Sequence, residues 1–351
     1  MQNFYQLIYK KAIKLSSALN LLKFCRYYNP LTNHIRTFER ERLTKDFLLF
    51  CFFFCFLSLT SFVQSAYCDS VLIEMERVNN SIQGIFQKRN REGRVDDQDY
   101  KCATPIIHYA LKHRELLWPE NRFILYRPDN PSFSRYYSPD RLLDLTYDTP
   151  EGHFKIHYTE SRYNPDTVFN SDYDSSTIPD YVKKYGSYFE DSWDHETNIL
   201  GYTPPDSDGT NGGDSRFDVY IKDITYYGYT SIENGHPYIV VDNDYSSSQE
   251  NFDPNGSRIG SMKVTAAHEL FHAIQFFYDD WCDGCLWWEE NTAVWMEDEV
   301  FDYVDDYLRY LKDRLLNMEL PLDDERYMSS KYGGVIWAKF LSETYGKDII
   351  R

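Results

Sequence analysis

The chain predicts an α+β fold. Three observations predict it: short β-branched and aromatic runs between residues 154 and 242, a long helical stretch after them, and a second apolar and acidic helical stretch close behind. A chain of 351 residues can bury a large core in one or two domains.

The elements follow in order. Residues 67–141 form a helix-rich, charged N-terminal segment, with candidate helices at 70–91 and 105–117, and read as a propeptide or an added lobe. Strands begin at 154–158. A helix with Pro179 in its first turn spans 179–200. Residues 217–221 and 238–242 are further strands, and a Ser-, Asn- and Gly-rich loop fills 243–260. From 262 to 278 the chain holds neither Pro nor Gly, and Val264, Ala267, Leu270, Phe271 and Ile274 recur at helical spacing. A second helix covers 287–298, and a helical C-terminal part follows. Three regions result: an N-terminal extension (1–66), the segment 67–141 and a main domain (142–351) expected to continue beyond Arg351. No internal repeat or nucleotide-binding glycine loop is present.

Net charge is −18, and the acidity lies downstream. Residues 1–66 hold nine Lys or Arg and three Asp or Glu, which leaves 28 basic and 52 acidic side chains, a formal −24, in the remainder. Such a chain is repelled by nucleic acid and by anionic membrane surfaces. The apolar run 47–63 follows Arg36, Arg40, Arg42 and Lys45 and precedes Gln64-Ser65-Ala66, the pattern of a cleaved signal peptide. The expected location is therefore outside the cell or at its surface. An uncleaved anchor through 47–63 is the alternative and would be the one membrane contact.

Cleavage would remove Cys25, Cys51 and Cys55 and leave Cys68, Cys102, Cys282 and Cys285, an even number suited to an oxidising compartment. Cys282-Asp-Gly-Cys285 reads as a small disulfide loop between the two main helices.

The chemistry is concentrated in His268-Glu269-Leu270-Phe271-His272. Imidazoles four residues apart on a helix share a face, one turn apart, and can reach one metal ion. Glu269 lies off that axis, where it serves as general base toward a zinc-bound water rather than as a ligand. The helix at 287–298 begins about where a helix, a loop and a return would place it, and either Glu289 or Glu290 can complete a His2Glu zinc site with an open fourth position.

With this motif and the downstream Trp287-Trp288-Glu289-Glu290-Asn291-Thr292-Ala293, the sequence resembles the gluzincin metallopeptidases, where HExxH is followed by a Trp-rich segment and Glu-Gly-x-Ala. The resemblance implies a zincin-like fold and assigns the third ligand to Glu290, with Asn291 standing where the pattern has Gly. Tyr327 to Gly334 is similar to the tyrosine-bearing helix entrance of aminopeptidase-type members, which implies an oxyanion-stabilising role for Tyr332. From about residue 142 onward the chain also resembles a group of secreted bacterial zinc metalloproteases. Two features depart from the better-known members. The Gly-x-Met-Glu-Asn exopeptidase signature is missing, and Val294 stands where thermolysin-like members carry an acid that orients a zinc histidine. Glu297 could take over that duty, but reads as an exposed acidic residue.

Asp206, Asp208 and Asp214 alternate with small residues as calcium ligands do, but Phe217 stands where an EF-hand needs its glutamate, so an ordinary acidic turn is the expectation and Ca2+ the alternative. His153, His157, His195 and His236 lack ligand spacing and read as structural or surface residues. The expectation is a secreted zinc endopeptidase acting on proteins or peptides. The alternatives are an exopeptidase and a non-catalytic surface or adhesion module on the same fold.

In protein from an oxidising compartment Cys282 and Cys285 should be joined. Peptide mass mapping under non-reducing conditions checks this, and two free thiols there would refute the bridge.

Overall fold

Alternation along the strands determines the two faces of the sheet. The computed structural model describes residues 71–86, 101–130, 142–168, 177–278, 284–323 and 328–351, so the expected signal segment, Cys68 and Cys282 lie outside the described residues. Residues 71–351 form one compact unit, in which the N-terminal segment is packed together with the main domain.

Strands β1 (Leu145–Asp148), β2 (Phe154–Tyr158), β3 (Phe217–Lys222), β4 (Gly228–Glu233) and β5 (His236–Asp242) form a mixed sheet in the order β1-β2-β3-β5-β4. The three central strands run parallel, and β1 and β4 lie antiparallel at the edges. Together with its helices this is the expected α+β class.

The two edge strands were not expected from the sequence. β1 is mostly exposed and carries no apolar run. β4 joins β5 through Asn234 and Gly235, with φ of 54° and 86°, the left-handed pair that a two-residue hairpin turn requires.

Eight helices are described: α1 (71–86), α2 (Thr104–Lys112), α3 (Asp180–Trp193), α4 (Ser257–Tyr278), α5 (Leu286–Phe301), α6 (Leu308–Leu316), α7 (Met328–Gly333) and α8 (Val335–Tyr345). Past α3 the chain continues as a π-type turn, Asp194–Ile199, in place of the regular helix expected to 200. None of the described helices is long and apolar enough to cross a membrane.

Each sheet face has its own core. Val219 and Ile221 of β3 and Ile239 and Val241 of β5 pack with Val182, Tyr185 and Phe189 of α3, Leu270 and Ile274 of α4, and Val294 and Trp295 of α5. Their neighbours Tyr220, Tyr238 and Val240 point the other way, onto Val78, Ile82 and Ile85 of α1 and Ile107 of α2. Described residues of the 67–141 segment therefore cover the β3, β4 and β5 part of one sheet face. Its contacts are buried and apolar, as in a core.

α4 begins five residues earlier than expected, at Ser257, and runs through Gly260. A Cβ at Gly260 would lie 2.2 Å from the Asn251 side-chain oxygen, so the glycine makes room for a neighbour rather than ending the helix. Residues 260–274 are all buried, so α4 is a central helix rather than an amphipathic one with a single apolar stripe.

Gly228 fixes how closely β4 approaches α4. A Cβ there would sit 2.9 Å from Thr265 Cγ2 and 3.1 Å from both Glu269 Cγ and the Val240 carbonyl. Gly228→Ala should therefore destabilise the fold by about 1–3 kcal/mol through overpacking, read as a lowered thermal midpoint. An unchanged midpoint would show that the strand can give way at no cost.

Candidate metal centre

α4 presents His268 and His272 on one face, both 1% exposed, with their Nε2 atoms 3.1 Å apart. α5 brings Glu290 against them. Its Oε2 lies 3.4 Å from His268 Nε2 and its Oε1 3.4 Å from His272 Nε2. A tetrahedral ion with bonds of ~2.0–2.1 Å keeps its ligand atoms roughly 3.3 Å apart, so the three donors stand at the separations such an ion demands. Glu290 is fully buried, and neither of its oxygens receives a hydrogen bond. The residues therefore fit a bound zinc. Glu289, one position earlier on α5, is only half-buried and stands outside this cluster.

Each imidazole is oriented from behind. His268 Nδ1 lies 2.6 Å from Glu297 Oε1, and His272 Nδ1 lies 2.7 Å from Gln275 Oε1. Gln275 is itself held, donating to the Glu289 carbonyl at 2.9 Å and to Thr292 Oγ1 at 2.8 Å. Glu297 is thus not the exposed acid expected from the sequence. It is 3% exposed and lies seven residues after Glu290, on the same side of α5.

Behind Glu297 stands Lys101, whose Nζ donates to Glu297 Oε2 at 2.5 Å and to Asp306 Oδ2 at 2.6 Å. Burial works against the ammonium, yet Asp306 and Glu297 raise its pKa and hold it charged.

Glu269 is 1% exposed. Its Oε2 accepts from Thr104 Oγ1 at 3.0 Å and lies 2.9 Å from Thr230 Oγ1. Tyr332 is also buried at the centre, its ring 6.3 Å from that of His268, and its hydroxyl accepts the Cys102 N–H at 3.2 Å. Burial, reinforced by the Glu290 charge and the nearby Cys102, pushes this phenol well above its ordinary pKa, so it remains a donor.

The side chain that sequence reasoning missed is Cys102. The thiol is free, and its Sγ joins His268, His272 and Glu290 in a group of donor atoms all within 4.8 Å of one another. Cys102 lies 166 residues before His268, and nothing local in the sequence connects them.

Burial disfavours the His268 imidazolium, but the facing Glu290 and Glu297 carboxylates lift its pKa to about 10. Burial pushes the Cys102 thiol up as well, aided by the Glu269 and Glu290 charges, a situation that a bound cation reverses.

The three aspartates considered for calcium are largely committed elsewhere. Asp208 accepts from Arg127 at 2.5 Å, Asp214 pairs with Lys155 and Arg216 at 2.9 and 2.6 Å, and Asp206 is exposed. His153 and His157 pair with Glu190 and Asp218.

Comparison with protein families, with curated proteins and with solved structures finds no match to this chain.

Two variants separate the neighbouring glutamates. Glu290→Ala should weaken zinc binding, and Glu289→Ala should leave it unchanged, as measured by zinc affinity of the purified chain. Glu297→Gln should weaken zinc affinity by about 10–100-fold without abolishing it, because it loosens a ligand rather than removing one. Metal loss that followed Glu289 would shift the ligand register by one residue.

Proposed function

We propose that this chain is a zinc metalloendopeptidase of zincin-like architecture, acting on proteins or peptides and exported through the segment at 47–63. The observation that carries the reading is the convergence of His268, His272 and the unpartnered Glu290, with the Glu269 carboxylate fixed beside them. His268, His272 and Glu290 hold the metal. When bound, zinc lowers the pKa of an attacking water toward ~7 and polarises the substrate carbonyl.

The chain's own residues supply the rest. Glu269 receives the water's proton as general base and returns it to the leaving amine. Thr230 holds Oε2 of this carboxylate, so Oε1 is the oxygen that takes the proton. Tyr332, kept protonated by burial, donates to the developing oxyanion. Glu297 accepts from His268 Nδ1 and so leaves the Nε2 lone pair for the metal. The absence of the Gly-x-Met-Glu-Asn signature favours cleavage within a chain over removal of its first residue. A non-catalytic adhesion module would have no use for a buried, oriented Glu269.

The purified chain should contain about one zinc per molecule, because three protein ligands suffice for a catalytic site. Zinc-free protein from zinc-replete growth would overturn the reading. Glu269→Gln should carry the same zinc and stay inactive under every condition in which the wild type cleaves casein. Cleavage by this variant at the wild-type rate would remove Glu269 from its role.

A further inference from the structure

We propose that Cys102 is a fourth protein ligand of the metal centre, and that residues 101–104 thereby hold the chain in a latent, closed state. The inference rests on the metallopeptidase reading and deepens it. Cys102 is 1% exposed and unbridged, and its Sγ lies within 4.8 Å of the ligand atoms of His268, His272 and Glu290. The centre it meets contains a buried carboxylate whose two oxygens have no hydrogen-bond donor, an environment that calls for a cation rather than a neutral thiol.

The approach of Cys102 is fixed by its backbone. Tyr227 N–H donates to the Lys101 carbonyl at 3.0 Å, and Ala103 N–H donates to the Gly228 carbonyl at 3.0 Å, so the segment lies along the outer edge of β4 as a short parallel addition. A sheet edge is where an extended peptide adds by main-chain hydrogen bonding, and here the chain's own segment occupies it.

Three contacts from this segment then engage the machinery. Lys101 binds Glu297, the Cys102 N–H binds the Tyr332 hydroxyl, and Thr104 binds the Glu269 carboxylate. One short segment therefore reaches the support of a metal histidine, the oxyanion donor and the general base.

Four protein ligands close a zinc site, whereas three leave a position open to water. With the thiolate withdrawn, His268, His272 and Glu290 remain as the ligand set of a working peptidase. Withdrawal must be local. The lobe carrying Cys102 also buries Val78, Ile82 and Ile107 against Tyr220, Tyr238 and Val240, and losing it whole would strip one sheet face of its core. A permanently structural four-ligand site would give no reason to keep Glu269 oriented beside it.

Cobalt(II) substitution of the full chain tests the ligand. The wild type should show an intense near-ultraviolet sulfur-to-cobalt charge-transfer band, and Cys102→Ser and Cys102→Ala should lose it at unchanged cobalt stoichiometry. Cys102→Ala, loaded with zinc, should cleave casein where the wild type shows no turnover.

The outcomes separate the two claims. A chain that binds neither cobalt nor zinc overturns the peptidase reading itself. Bound cobalt without the band, or a band that survives in both variants, overturns the fourth ligand and leaves the peptidase reading standing. A band lost with cleavage still absent in Cys102→Ala overturns latency. Thr104→Val provides a second measure, in that the charge-transfer band should weaken as the segment loses its hold on Glu269, and an undiminished band would argue against that hold.

Discussion

The structure depends on a carboxylate that cannot stand alone. Glu290 is fully buried, and its oxygens receive no hydrogen bond, so its charge must be balanced by a cation at the facing imidazoles. An isolated charge in such a place would cost far more than a domain's net stability. A proton on His268, whose pKa is lifted to about 10, supplies that positive charge. The packing of α4 against α5, through Leu270, Ile274, Ala293 and Val294, brings these charges to one point.

Around this point the charges compensate one another in sequence. Glu297 orients His268, Lys101 neutralises Glu297, Asp306 shares Lys101, and Arg309 donates to Asp306 at 3.2 Å. Two acids and two bases make this buried network formally neutral, so it can orient an imidazole without adding net charge to the interior. Removing one member would leave its partner buried and unpaired, a loss of about 3–5 kcal/mol. The network also ties the N-terminal lobe to α5 and to the turn before α6. The lobe is thus joined to the candidate metal centre by ion pairs as well as by the apolar cover it gives the sheet.

Much of the candidate site was legible because it is local. Two histidines one helical turn apart, a glutamate between them and a second acidic helix at the right distance need only helical periodicity to be read together. Glu297 was within reach, since residues seven apart on a helix share a face, but counting it as exposed ignored that α5 is buried through most of its length. The β4–β5 hairpin had a signal in Asn234-Gly235 that the weak apolar pattern around Gly228 obscured. Asn291, which departs from the resembled pattern, is accommodated by its surroundings. Its amide donates to the Lys331 carbonyl at 2.9 Å, and a Cβ on Gly334 would come within 2.5 Å of its oxygen, so a glycine across the contact provides the room. Lys101, Cys102 and Thr104 had no comparable signal. Their partners lie 165 to 230 residues away, and only the folded sheet edge brings them together.

That sheet edge is subject to two conflicting demands. An unpaired edge strand invites association with other chains, and covering β4 with residues 101–103 removes that hazard. A peptidase that takes its substrate as an added strand needs an edge left uncovered. One segment cannot satisfy both at once, but a displaceable one can satisfy each in turn. The hold on 101–104 consists of two main-chain hydrogen bonds, the buried Lys101 ion pairs and the Cys102 and Thr104 contacts, so release must break those ion pairs, while the apolar burial of the lobe lies on the opposite face of the sheet. Release of the short stretch would therefore free the edge, Tyr332 and Glu269 together, with the core beneath α1 and α2 left intact.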